Sequence, residues 1–102
     1  MDRRLTLDAE LRELLGSSNV YFQPPESMKL KYDCFVYSDE SPLVRNADNK
    51  SYLIQRSYEV IHIYKNPDGS MKERFLEHFK YASLNAHYVR DSLYHDVYRL
   101  FF

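Results

Sequence analysis

Residues 81–102 read YASLNAHYVRDSLYHDVYRLFF, two runs rich in tyrosine, valine and leucine on either side of Arg90, Asp91 and Ser92. Aromatic and β-branched residues suit the pleated, half-buried surface of a sheet, and a short polar break between two such runs marks a hairpin. The stretch therefore predicts two antiparallel strands. The second closes on Leu100, Phe101 and Phe102, large apolar side chains that must be buried or paired. With a three-residue loop at the break, His87 falls across from His95, with Asp96 alongside. Two imidazoles and a carboxylate are a ligand set for zinc or iron, although cross-strand histidines also arise from ordinary packing, which is the preferred reading here.

Further strands lie upstream. Residues 51–64, SYLIQRSYEVIHIY, alternate Tyr52, Ile54, Arg56, Tyr58, Val60, His62 and Tyr64 on one face with Leu53, Gln55, Glu59, Ile61 and Ile63 on the other. Apolar groups on both faces predict a long strand whose first half forms one arm of a hairpin. YDCFVYS, residues 32–38, reads as another strand. VYF, residues 20–22, is long enough only for a brief strand near a sheet edge, because Pro24 and Pro25 remove two consecutive backbone donors. Between these strands, residues 39–49, DESPLVRNADN, form a polar loop near the upper end of ordinary connection lengths.

Two helices complete the pattern. Leu7, Leu11, Leu14 and Leu15 repeat at helical spacing opposite Arg4, Asp8, Glu10, Arg12 and Glu13, which predicts a helix over 2–15 stopped by Gly16. After the turn KNPDGS, Ser70 and Glu73 have the spacing of a capping box that opens a second helix with an apolar stripe of Met71, Phe75, Leu76 and Phe79. Strands joined by turns, without regular strand and helix alternation, indicate an α+β fold: a mainly antiparallel sheet with both helices on one face.

Composition bounds the function. A chain of 102 residues is a single domain, 1–102, with one modest core. Its 44% apolar and 28% charged residues suit a globular protein. No run approaches the ~18 apolar residues of a membrane span, and MDRRLTLDAEL lacks the apolar stretch of a signal peptide, so the chain is expected to stay in the cytosol. Lys and Arg total 14 against 15 for Asp and Glu, a net charge of -1, which disfavours direct DNA binding. The lone Cys34, inside YDCFVY, reads as a small buried apolar residue rather than a thiol for catalysis. Gly16 and Gly69 are the only glycines, too few for a phosphate loop, and no serine or cysteine stands in a nucleophile motif. The acids are scattered, so no enzyme, catalytic residue or cofactor is expected. Ten Tyr and six Phe make 16% of the chain, a surplus that predicts tyrosines at a protein interface or on an open sheet face.

NVYFQPPES at 19–27, YDCFVYS at 32–38, ADNKSY at 47–52, YEVIHIYKNPD at 58–68 and HYVRDSLYHDVYRLFF at 87–102 follow one another behind the first helix. In that order they resemble the small tail terminator, or tail completion, proteins of long-tailed bacteriophages and related prophages. The resemblance implies a subunit of a ring, typically a homohexamer, that caps the tail tube, ends its polymerisation and offers its other face to a neck or head completion protein. It further implies a place in the virion at the tail end near the neck, assembly in the host cytoplasm, and DNA passing through the bore without specific binding. On this reading Asp39, Glu40, Leu43, Val44, Arg45 and Asp48 of the polar loop are candidates for contact with the tail tube protein. Tyr52, Tyr58, Tyr94 and Tyr98 are candidates for the ring interface. The alternatives are a head completion or stopper protein of the neck and a small metal-dependent enzyme using His87, His95 and Asp96.

Overall fold

A computed structural model of the chain describes residues 3–40 and 57–102. Helix α1 spans Arg3–Leu15 and is followed by strands β1 (Val20–Phe22), β2 (Cys34–Asp39) and β3 (Ser57–Tyr64). A short 3-10 turn at Pro67–Gly69 leads into α2 (Lys72–His78), then β4 (Ala82–Arg90) and β5 (Leu93–Phe101). The strands form one five-stranded sheet in the order β1-β2-β3-β5-β4. Only β1 pairs in parallel, with β2; the other neighbours are antiparallel. The chain is thus the expected α+β fold.

Both helices cover the same face. Leu7, Leu11 and Leu14 of α1 join Phe75 of α2, with the flanking Met71 and Phe79, in one cluster with Phe35, Tyr37, Tyr58, Val60, Tyr98 and Leu100 from the strands. α1 lies over β1 and β2, and α2 over β4. Leu76, expected in the apolar stripe of α2, is exposed instead. The seven residues of α2 turn Met71, Phe75 and Phe79 inward along a single i, i+4 row, and Leu76 falls outside it. Arg74 Nη2 donates to the carbonyl of Leu14 at 3.0 Å, so α2 supplies a donor to the carbonyl end of α1.

Gly16 ends α1 at φ +78°, and its N–H donates to the Arg12 carbonyl at 2.9 Å. Past β1, Gln23 takes φ 43° ahead of the two prolines, and the strand goes no further. VYF is therefore an edge strand, as its proline stop requires. Residues 51–56, the first half of the expected long strand, lie outside the described residues, whereas Ser57–Tyr64 is the strand predicted.

The hairpin at the end of the chain departs from its expected register. Asp91 and Ser92 have φ 53° and 64°, and Arg90 pairs with Leu93, so the turn has two residues and the pattern of a type I′ turn. His87 consequently pairs with Asp96, and His95 with Tyr88 on the opposite face. The register slips again between Leu84 and Ala86, where Asn85 forms a bulge. Of the final apolar triplet, Leu100 is buried and Phe102 packs on Phe79 with ring centroids 6.2 Å apart, while Phe101 points to the helix-free face and is exposed.

Four tyrosines, Tyr37, Tyr58, Tyr64 and Tyr98, are among the largest fully buried side chains. Phe75 is stacked on Tyr98 at 4.0 Å and touches Phe35 and Phe79 at 5.9 and 4.9 Å. Phe75→Ala is expected to destabilise the fold by about 3–5 kcal/mol in urea denaturation, whereas Leu76→Ala, one residue on, changes it by less than about 0.5 kcal/mol.

Candidate functional site

The register of β3, β5 and β4 aligns three titratable side chains in one row on the helix-covered face. His62 pairs with Asp96, and Asp96 in turn pairs with His87. Asp96 is 3% exposed, and burial of a carboxylate is tolerated only when donors satisfy its charge. Three do so. His87 Nδ1 lies 2.5 Å from Oδ1, while the Tyr64 hydroxyl and Ser70 Oγ donate to Oδ2 at 2.9 and 3.1 Å. Strands β3, β4 and β5 and the approach to α2 are thereby tied to one anionic centre.

Ser70 meets the start of α2 through the Lys72 N–H and not through Glu73 as a capping box would. The N-cap position of α2 belongs to Met71, with no side-chain cap bond. The Ser70 hydroxyl instead donates to Asp96 and accepts from the Lys72 N–H at 3.3 Å. A hydroxyl donates and accepts at once, so one side chain both meets the first N–H of α2 and anchors that end of the helix to the buried carboxylate.

Around this centre the aromatic rings are stacked. His62 lies on Tyr64 at 4.6 Å, and Tyr64 on Tyr94 at 5.5 Å. Burial pushes the His62 imidazole down to about 4, against the opposing pull of the Asp96 and Asp33 carboxylates. Among the described residues, its Nδ1 and the Tyr98 hydroxyl are buried without a hydrogen-bond partner. Burial, then the bond to Asp96, raises the Tyr64 hydroxyl, and burial with the nearby Asp96 charge raises Tyr98. Both phenols are neutral near neutral pH, and Tyr64 serves Asp96 as a donor. Cys34, fully buried, is pushed up to about 12 by burial and by Asp33, so it does not supply a thiolate.

A cavity of about 270 Å³ opens over Asp96, lined by Tyr64, Pro67, Ser70, Lys72, Leu84 and His87. It does not bring together the metal set that the sequence left as an alternative. His95 is on the other face, stacked on Tyr88 at 4.6 Å with Nδ1 3.1 Å from the Leu93 carbonyl, so His87 and His95 cannot share a ligand with Asp96. Among the described residues, no group of three His, Cys, Asp or Glu is placed to bind a metal ion.

The remaining sequence candidates disperse. Tyr58 and Tyr98 sit in the core, at 1% and 0% exposure, and therefore offer no ring to a neighbouring subunit. Tyr94 is half-buried against Tyr64 and His87. Asp39 and Glu40 are exposed at the end of β2, where the Asp39 N–H donates to Gln23 Oε1 at 3.2 Å and Glu40 pairs with Arg99 at 3.4 Å. Leu43, Val44, Arg45, Asp48 and Tyr52 lie outside the described residues. His62, Tyr64 and Ser70 were not singled out from the sequence as partners of Asp96. The shared face of His62 and Tyr64 in the alternation of 57–64 was the available signal, but only the hairpin register connects it to Asp96.

Outside this centre, the outer part of the β4 edge is exposed. Residues 85–90 are exposed throughout, including Val89 at 56% and Tyr88 at 38%, and Tyr81 just before the strand is 69% exposed. Comparison with protein-family models, curated proteins and solved structures finds no match.

His62 makes stability pH-dependent. An imidazole held neutral in the fold but free to take a proton when unfolded favours unfolding as pH falls from its ordinary 6.5 towards about 4. Stability is expected to be full above that window and to lose roughly 3 kcal/mol across it. His62→Phe, which keeps a ring on Tyr64, flattens this part of the profile in denaturation curves taken at successive pH values. Asp96→Ala, which leaves the buried Tyr64 hydroxyl without its acceptor, is expected to cost about 2–4 kcal/mol by the same measurement, against less than about 1 kcal/mol for Ser70→Ala.

Proposed function

We propose that the chain is a structural assembly subunit, a tail terminator that forms a homo-oligomeric ring on the phage tail tube. The observation that carries this reading is the open β4 edge. Natural sheets blunt an exposed edge with proline, lysine, a bulge or a cover, because unpaired N–H and C=O groups recruit other strands. β1, at one edge, is three residues long and stopped by Pro24 and Pro25. At the other edge β4 runs nine residues with no proline or lysine, and beyond its bulge it is exposed with Tyr88 and Val89 outward.

A closed ring joins two different patches head to tail. Exposed apolar groups occur at both ends of the sheet: Tyr81, Tyr88 and Val89 with β4, and Leu5 and Met28 with α1 and the connection after β1. They support such a contact, with the β4 hairpin of one subunit meeting the α1 and β1 end of the next. The ring, most simply a hexamer, ends tube polymerisation and gives its other face to the neck or head completion protein. A net charge of -1 suits a bore through which DNA passes without being held. In this role the chain needs no catalytic group or cofactor, and it resides in the virion at the tail end near the neck after assembly in the host cytoplasm.

Electron microscopy of particles assembled with and without the protein tests the role. Overgrown or unjoined tails in its absence are the expected result; normal tails beside unsealed heads would move the protein to the neck. At the level of the subunit, sedimentation of the wild type is expected to give a ring-sized species and Val89→Lys, altered at an exposed position, a folded monomer. A wild type that stays monomeric at high concentration and does not bind tail tube protein overturns the proposal.

A further inference from the structure

We infer that the face of the sheet without helices is a contact surface for a second copy of this chain, packed sheet on sheet about a two-fold axis running along the strands between β3 and β5. The inference goes beyond the ring reading and does not depend on it: the ring joins the ends of the sheet, whereas this contact uses its face. The strand registers align one apolar row across all five strands on that face. Tyr21 pairs with Val36, Val36 with Ile61, Ile61 with Val97, and Val97 with Ala86. Tyr21, Val36 and Ile61 are half-buried, Ala86 is exposed and Val97 is buried. An antiparallel sheet with one face in water alternates apolar and polar residues. β3 departs from this, because Ile61 and Ile63 point away from the helices while Val60 joins the helix-side cluster. A sheet that is apolar on both faces needs a layer against each.

Charge selects the occupant. In the next row of the same face, Ser38, Glu59, Arg99 and Ser83 stand side by side. Glu59 is half-buried and makes no ion pair among the described residues, since Arg99 turns its guanidinium to Glu40 at 3.4 Å. Burial and then the nearby Glu40 raise the Glu59 carboxyl, against the pull of Arg99. A two-fold axis along the strands keeps every row and exchanges β3 with β5 and β2 with β4. It lays Glu59 over the partner's Arg99, Ile61 over the partner's Val97 and Val36 over the partner's Ala86. Acid meets base twice, and in the apolar row a larger side chain meets a smaller one. Such self-complementarity is what an isologous contact requires, and aligned sheets pack about 10 Å apart at an angle of about 30°. Five strands about 4.8 Å apart and three rows about 7 Å apart give a face of roughly 400–500 Å² per subunit. That is small for a specific contact, so the dimer forms only in concentrated solution and is dissociated in dilute samples.

The test is sedimentation equilibrium of the full chain carrying Val89→Lys, which removes the edge contact of the ring, over about 10 μM to about 1 mM. A monomer that passes into a dimer as concentration rises is the expected result. Glu59→Arg and Arg99→Glu each bring like charges together twice, and each is expected to weaken the dimer by roughly tenfold or more. An equimolar mixture of the two recovers the dimer, because each then offers the other its opposite charge. Ala86→Arg, at an exposed position, is expected to weaken the dimer as well and supplies the test if Glu59→Arg does not fold. A monomer at every concentration, the result also expected if a different protein covers this face, overturns the inference. So does a dimer that none of the three variants weakens, or a pair of charge variants whose mixture stays monomeric. The ring reading fails separately: wild type and Val89→Lys would then associate alike, whereas failure here leaves Val89→Lys monomeric whatever the wild type does.

Discussion

Asp91 and Ser92 take left-handed backbone angles, and the two-residue turn they make fixes how β4 lies against β5. Side chains alternate with a period of two, so one more residue in that turn would move every β4 side chain to the other face relative to β5. The observed register brings His87 onto Asp96 and places Tyr88 on His95. Everything gathered at Asp96 follows from this. The carboxylate can be buried because the turn delivers an imidazole to one oxygen, while β3 and the approach to α2 deliver hydroxyls to the other.

A second constraint comes from building a core out of tyrosine. Each buried phenol brings a hydroxyl that must find an acceptor or stand unsatisfied. Tyr37 donates to Asp8 at 2.6 Å, and Asp8 is also bound by Arg12 across one helical turn. Although burial works to raise it, the bonds from Arg12 and Tyr37 hold the Asp8 carboxyl below its usual range. Tyr64 finds Asp96. The acids Asp8 and Asp96 therefore belong to the core by their hydrogen bonds, one fastening α1 to β2 and the other fastening the hairpin to β3. Tyr98, stacked on Phe75, is buried with its hydroxyl unpaired among the described residues.

Much of this fold was legible in the sequence. Leucines at helical spacing identify α1, the prolines identify β1 as an edge, and the aromatic runs identify the hairpin, because each signal is local. Register was less legible, since neither Asp91 nor Ser92 is the glycine or asparagine that announces a turn of this kind. The candidate site was missed for the same reason: its members come from β3, β4, β5 and the segment before α2, and only the pairing unites them. Tyrosine misled in a different way. Its apolar ring and polar tip suit an interface and a hydrogen-bonded core equally well, and for Tyr58 and Tyr98 the core has the claim.

The bulge at Asn85 divides β4 into unequal partners. Ala82 and Leu84 pack against the helix-side cluster, whereas residues 86–90 lean only on β5. Few buried contacts and much exposed backbone make a segment open at low free energy, independently of global unfolding. The outer part of β4 is thus the segment expected to open first, with the bond from His87 to Asp96 as its tie to the centre of the sheet. An edge of this kind can shift while the rest of the sheet keeps its shape, so rigidity and adaptability fall on opposite sides of one bulge.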